Sequence, residues 1–328
     1  MKNSIVDIMF YSRYFSLPMT ILSWLVIFTY SIINTGDVGY GIVALIGLCF
    51  AHLGTNILDD YFDYKSLIKQ VGFSKEEYLK NSQKTKCRYI ISGRIKPRQA
   101  LFIALTHFSI AGFCGLFLFL KCGIGVIYFA LIGGIIAVFY SLMSRICLSE
   151  FAVALAYGPA LFGGVYYVMT NSYDQNIIYL SIPTMIMTVI LLYIHTVMDY
   201  EFDILEGKCT LANRFESPLK SLVVLKGLII TAYLSLPLLC VLDILDWQVF
   251  LAYLTIPLAI DLYKSMKEFA LNPESLPSKK WYHFPMENLE KLKANNEASF
   301  MIRMYQSRNL MIYFALFMVV AIILALAI

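Results

Sequence analysis

A chain of 328 residues that is 59% hydrophobic, with a mean hydropathy of +0.69 and a net charge of +4, is far more apolar than soluble domains, which use roughly 45–50% apolar residues. That composition excludes a soluble enzyme and points to a polytopic protein whose solvent is the lipid bilayer. No nucleic-acid partner and no obligate protein partner is expected.

Runs of about 18 or more apolar residues, enough to cross a hydrocarbon core of about 30 Å, recur along the chain. They lie near Ser16–Ile33, Tyr40–Leu58, Gln99–Leu120, Gly123–Met143, Glu150–Thr170, Ile177–Met198, Ser221–Leu242, Val249–Tyr263, which is shorter than the rest, and Asn309–Ile328. The expected fold is therefore all-α and integral to the membrane, with nine transmembrane helices. The N-terminal stretch carries only Lys2 and Arg13 as basic residues and leads to no small-residue cleavage pattern, so a removable signal peptide is not expected.

Basic residues set the orientation. Lys65, Lys69, Lys75, Lys80, Lys84, Lys86, Arg88, Arg94, Lys96 and Arg98 crowd the second connection, Arg145 marks the fourth, and Lys208, Arg214 and Lys220 mark the sixth. The eighth adds Lys264, Lys267, Lys279, Lys280, Lys291, Lys293, Arg303 and Arg308, whereas Lys121 is the single lysine of the odd-numbered connections. By the positive-inside rule the even connections and the N-terminus face the cytoplasm and the C-terminus lies outside. The expected location is the cell membrane, with the functional end toward the cytoplasm. The seven cysteines form no CxxC pair and read as structural thiols rather than metal ligands or disulfides.

Ahead of the first span, Phe10-Tyr11-Ser12-Arg13-Tyr14-Phe15 is an aromatic and basic cluster. It reads either as an interfacial anchor or as a place where Arg13 binds an anion. The second span ends in Asn56-Ile57-Leu58-Asp59-Asp60-Tyr61-Phe62-Asp63. At about 100° per helical residue, Asn56, Asp60 and Asp63 share a narrow arc with Asp59 at its edge. Carboxylates crowded at membrane depth repel one another, so a cation or proton must offset them. The following connection, about 64–98, holds Lys84, Lys86, Arg88 and Arg94 near its return to the membrane. Bases facing metal-loaded carboxylates suit a polyphosphate bridged by divalent ions; a solvated loop whose charges only enforce topology is the plainer reading.

Tyr140 and Ser141 close the fourth span, just before Arg145 and Glu150, and are candidates for lining the pocket. The sixth span ends in His195-Thr196-Val197-Met198-Asp199-Tyr200-Glu201-Phe202-Asp203. Asp199 and Asp203, four apart, again share one helix face, and Lys208 follows them. His195 reads as a polar residue at a helix end, or as part of the pocket. The two acidic stretches lie about 140 residues apart, each closing an even-numbered span, so residues about 10–145 and 150–264 look like related halves followed by a ninth helix. The connections at about 199–220 and 265–307 complete the cytoplasmic side.

Taken together, Asn56…Asp60…Asp63 and Asp199…Asp203 resemble the paired motifs of the UbiA superfamily of membrane prenyltransferases, and the phrase around Asn56–Lys65 looks most like its menaquinone branch. Ser92–Ala100 and Gly207–Leu211 sit where members carry similar phrases, so the resemblance covers nearly the whole chain. It departs from the pattern at Tyr64, Asp59 and His195. The resemblance implies a helical bundle around a central cavity. It implies Mg²⁺, two ions, held by Asn56, Asp60, Asp63, Asp199 and Asp203 and in some readings Asp59, with Asp60, Asp63, Asp199 and Asp203 as the catalytic set. Arg13, Lys86, Arg88, Arg94 and Lys208 would bind the diphosphate of a polyprenyl donor, and an aromatic acceptor such as dihydroxynaphthoate would capture the allylic cation. A terpene synthase of the same superfamily, needing no acceptor, is the alternative, and a transporter the remote one.

Overall fold

The computed structural model of the protein describes residues 5–70, 72–81, 87–294 and 297–325. Within them the architecture is helical, with nine helices long and apolar enough to cross a membrane: α1 Tyr14–Ile33, α2 Val38–Leu67, α3 Pro97–Cys122, α4 Gly125–Met143, α5 Ser149–Thr170, α6 Asn176–Met198, α7 Pro218–Val241, α8 Trp247–Leu271 and α9 Ala298–Ala325. The helix starts are chemically marked. The Asp37 side chain accepts from the Tyr40 amide at 3.0 Å, the Ser217 hydroxyl accepts from the Lys220 amide, and Pro18, Pro97 and Pro218 sit where an amide would have no partner.

Burial ranks the helices by position. The apolar window of α6 is 72% buried, against 17% for α3 and for α4, so α6 is the central post and α3 and α4 turn most of their surface to lipid. Val26, Ile27, Phe162, Ile190, Ile194, Leu236 and Phe314 form one core with α6 at its middle. Close approach of α1 and α2 depends on Gly41, whose carbonyl accepts from the Trp24 indole at 2.9 Å. A Cβ there would meet the Phe28 ring at 2.7 Å.

Three helices run past the apolar stretches seen in the sequence. With 30 residues, α2 is about 45 Å long and carries the whole Asn56–Asp63 stretch on continuous helix beyond the apolar part. Both α8 and α9 extend toward each other by turns rich in polar residues, which hydropathy cannot separate from loop. Between them, residues 272–294 fold back onto the bundle. Arg303, fully buried, ties this return together by donating to the carbonyls of Ser265 (2.9 Å), Ser275 (3.0 Å) and Ser299 (2.8 Å). Asn309 holds the carbonyls of His283 and Pro285 at 2.6 and 2.8 Å.

Replacing Arg303 with leucine strands those buried carbonyls and should cost about 2–4 kcal/mol. The expected result is a lower unfolding temperature in detergent and faster protease cleavage within 272–294. Unchanged cleavage would mean that Arg303 does not secure this segment.

Candidate active site

Both acidic stretches arrive at the same end of the bundle, where the basic residues collect. Asp59, Asp60 and Asp63 on α2 are buried, as are Asp199, at the C-cap of α6, and Asp203, on the short helix Tyr200–Leu205 that follows. Burial of so many carboxylates demands compensation, and the chain supplies it from three directions.

From the N-terminal side, Arg13 sits in the left-handed conformation (φ 56°) as the N-cap of the turn Tyr14–Ser16, which swings its guanidinium onto Asp60. Burial disfavours its charge, but Asp60 first and then Asp59 outweigh that and raise its pKa, so it stays a cation. From the far side, Lys208 donates to Asp63 Oδ2 at 2.6 Å and lies 3.5 Å from Glu206. Its own backbone amide donates to the Asp203 carbonyl at 2.8 Å. Lys208 therefore joins the loop carrying the second acidic pair to the first stretch. Arg145 approaches Asp63 Oδ1 at 3.5 Å. Beside them, the His195 Nδ1 atom is 3.3 Å from Asp199 Oδ2, and its ring meets Phe300 of α9 edge-on.

The later part of the second connection covers the first stretch. Tyr89, stacked on Tyr11 with ring centroids 4.4 Å apart, lies against Asp60. Burial, and then that carboxylate, push its phenol well above the usual range, so it stays protonated. Arg88 and Arg94, expected at the diphosphate, are exposed, and Arg88 donates to the Leu79 carbonyl at 3.1 Å; Tyr89, Ile90 and Ile91 take the buried positions instead. Lys84 and Lys86 lie outside the described residues. Asn56 turns its amide nitrogen to the Ser12 carbonyl (3.0 Å) and the Ser16 hydroxyl (3.1 Å). Tyr140 is half-buried and within electrostatic reach of Asp59, Glu150, Lys208 and Arg13, while Ser141, next to it, is buried.

One expectation is corrected. Cys147 and Cys209 form a disulfide, with an S–S distance of 2.01 Å and Cα atoms 4.7 Å apart, while Cys49, Cys87, Cys114, Cys122 and Cys240 are free. A separation of 62 residues hides the pair from any spacing rule. It forms because the turn after α4 meets the loop after α6: the Cys209 amide donates to the Ser144 carbonyl at 3.1 Å, and the Leu211 amide donates to Glu150 at 3.1 Å. The bridge joins the two segments that deliver Arg145 and Lys208 to Asp63. Arg145 and Glu150, isolated charges outside the two acidic stretches, and Tyr89 belong to no spaced motif that could single them out.

Among the described residues, no three His, Cys, Asp or Glu side chains converge as a metal cage; arginine and lysine nitrogens stand against Asp60 and Asp63 instead. The donor set nonetheless fits a hard divalent cation. It offers carboxylate oxygens, which suit Mg²⁺. Buried Asp59, Asp60, Asp63, Asp199 and Asp203 also outnumber Arg13, Arg145 and Lys208, the cations placed among them.

Removing Lys208 would leave Asp63 buried beside Glu206. Lys208→Met should therefore destabilise the fold by about 3–5 kcal/mol. The coulombic pull of Asp63, Asp59 and Glu206 overcomes burial and raises the Lys208 pKa. Its stabilisation is thus fully present below the unfolded lysine pKa and is lost only above it, so the loss in Lys208→Met should be constant from about pH 6 to 9. A loss that appears only at one end of that range would contradict the pairing. Peptide mapping without reductant should recover Cys147 and Cys209 cross-linked, with both alkylated only after reduction; free thiols in the native protein would contradict the bridge.

Comparison with known proteins gives a consistent picture. Residues 16–289 match the UbiA prenyltransferase family. No curated protein matches the chain. Solved structures with the same fold include a UbiA homolog from Aeropyrum pernix K1 (13% identity, TM-score 0.59, covering 94% of this chain and 98% of that one). A digeranylgeranylglyceryl phosphate synthase is similar at 16% identity and a TM-score of 0.57, over 96% and 97% of the two chains. A UbiA homolog from Archaeoglobus fulgidus bound to GPP and Mg²⁺ is similar at 14% identity and a TM-score of 0.53, over 92% and 99%. With the family pattern matched over most of its length, this chain belongs to the UbiA prenyltransferase family.

Proposed function

We propose that the protein is a Mg²⁺-dependent prenyltransferase that moves a polyprenyl group from its diphosphate to an aromatic acceptor of the quinone-precursor kind, such as dihydroxynaphthoate. The observation that carries this reading is the Lys208 bridge, which sets the loop of Asp203 against Asp63 and so draws both acidic stretches toward one charged end above an apolar bundle. The solved homolog with GPP and Mg²⁺ and another with DMAPP and Mg²⁺ support it. The menaquinone-like phrase around Asn56–Lys65 supports the choice of acceptor.

In this reading Asp60, Asp63, Asp199 and Asp203, with Asn56 and Asp59 beside them, hold two Mg²⁺ ions, and the ions when bound neutralise charge on the diphosphate oxygens. Arg13 and Lys208, paired with Asp60 and Asp63, and Arg145 beside them are the cations that would face the phosphates where the carboxylates hold the metal. Their fixed positive charge favours the departing diphosphate over the intact donor, which is what lowers the barrier. The allylic C–O bond breaks with its electron pair leaving on the diphosphate. A π pair of the acceptor ring forms the new C–C bond, and the ring proton passes to the diphosphate. The apolar bundle below keeps water from the cation. The halves 10–145 and 150–264 then each contribute one acidic stretch.

The test is diphosphate release from geranyl diphosphate and 1,4-dihydroxy-2-naphthoate by purified protein with Mg²⁺. Chelation should abolish it and added Mg²⁺ restore it, and Asp60→Ala or Asp199→Ala should lower kcat by about 100-fold or more. Full turnover in either variant would refute the assignment, and prenyl hydrocarbon formed without any acceptor would replace transfer with cyclisation.

A further inference from the structure

A groove of about 270 Å³ opens beside the start of α3, lined from the C-terminal end of α2, from the second connection and from Pro97. It is far larger than the ~10–15 Å³ that a single water needs. Ile90, Ile91 and Ile95, each at most 3% exposed, form its floor. Ile68, which is 46% exposed, and Phe73 form its side, and Lys75 and Lys96, both exposed, form its rim.

The rim carries one sign of charge. No acidic side chain lines the groove, and Glu76, the neighbour of Lys75 in sequence, is not part of it. Neither Lys75 nor Lys96 has an ion-pair partner among the described residues. Arg94, next to the lining Gly93, is exposed and adds to the same sign.

The placement brings lipid to this rim. Pro97 opens α3, which turns most of its surface to lipid, and Phe102 (71% exposed) and Leu105 (54% exposed) follow within about two turns. The groove therefore lies where a helix enters the bilayer, at the level of the head groups.

Simple occupants satisfy only half of such a site. A free phosphate would answer the lysines and leave the isoleucine and phenylalanine surface in water. A zwitterionic lipid would cover the apolar side and leave the rim with uncompensated positive charge. A phosphate ester that carries hydrocarbon and a net negative charge answers both, as anionic lipids do at basic pockets beside transmembrane helices. We infer that the groove binds one anionic phospholipid, its phosphodiester at Lys75 and Lys96, its glycerol end on Ile68 and Phe73, and its acyl chains along the lipid-facing side of α3. This goes beyond prenyl transfer and does not depend on it. Ile90 and Ile91 share a short helix with Tyr89, which lies against Asp60, so the groove and the first acidic stretch have one wall in common and the variants that test the groove are best taken from its exposed rim and side.

The test is native mass spectrometry of the full chain in a neutral detergent, titrated with phosphatidylglycerol and, separately, with phosphatidylcholine. Wild type should hold one phosphatidylglycerol about 10-fold more tightly than phosphatidylcholine, the effect of two lysines at a lipid head group. Lys75→Gln and Lys96→Gln should each cut that preference about 3-fold and together bring it close to one. Ile68→Ser should weaken both lipids and keep the preference. Equal binding of the two lipids by wild type, or a preference untouched in the double lysine variant, would overturn the site. Displacement of phosphatidylglycerol by an equal concentration of inorganic phosphate would reduce it to an anion site and overturn the lipid assignment, as would a dimer mass that takes up no lipid, which would give the groove to a second copy of the chain.

Discussion

The charged end of this protein depends on keeping like charges together where water is scarce. Asp59, Asp60 and Asp63 project from one helix and Asp199 and Asp203 from another chain segment, all buried. Left alone, each would cost several kcal/mol in desolvation and repel the rest. The answer is a set of cations brought from distant parts of the chain: Arg13 from the N-terminal turn, Arg145 from the turn after α4 and Lys208 from the loop after α6. Because each cation has to be carried by its own backbone, the neutralisation of Asp60 and Asp63 also dictates how three segments, the N-terminal turn and two connections, fold over the bundle. The Cys147–Cys209 bridge fastens two of those connections to each other.

The same arrangement relates structure to the proposed chemistry. A pocket that already balances carboxylates with guanidinium and ammonium groups needs only an exchange of partners to take a metal-bound diphosphate: carboxylates to metal, cations to phosphate. The charges are preorganised in either state, so little reorganisation falls on the reacting step.

Much of the fold was legible in the sequence because lipid allows so few solutions. Nine apolar runs had to become nine helices, and the spacing of Asp59, Asp60 and Asp63 placed them together on α2, whereas α6 ends at Asp199 and leaves Asp203 on the next short helix rather than on one continuous face. Helix ends were less legible. The last turns of α2, α8 and the first of α9 are polar, and hydropathy stops where helix does not. Among site residues, acids were visible as clusters, while their partners were scattered. Arg145 looked like one more topology-setting charge, and Lys208 stood out only because it follows Asp203. Arg88 and Arg94 carry the right charge, but the short helix Arg88–Ile91 buries Tyr89, Ile90 and Ile91, and both arginines are exposed. Cys147 and Cys209 become meaningful only when the chain brings distant segments together.

The central claim is that the two acidic stretches act on one ligand, and a double-mutant cycle tests it most directly. Titration of Mg²⁺ with a non-hydrolysable geranyl diphosphate analogue into wild type, Asp60→Asn, Asp199→Asn and the double variant yields the coupling between the stretches. A shared site predicts non-additive losses, with a coupling of about 1 kcal/mol or more; losses that simply add, or binding untouched by Asp199→Asn, would contradict it.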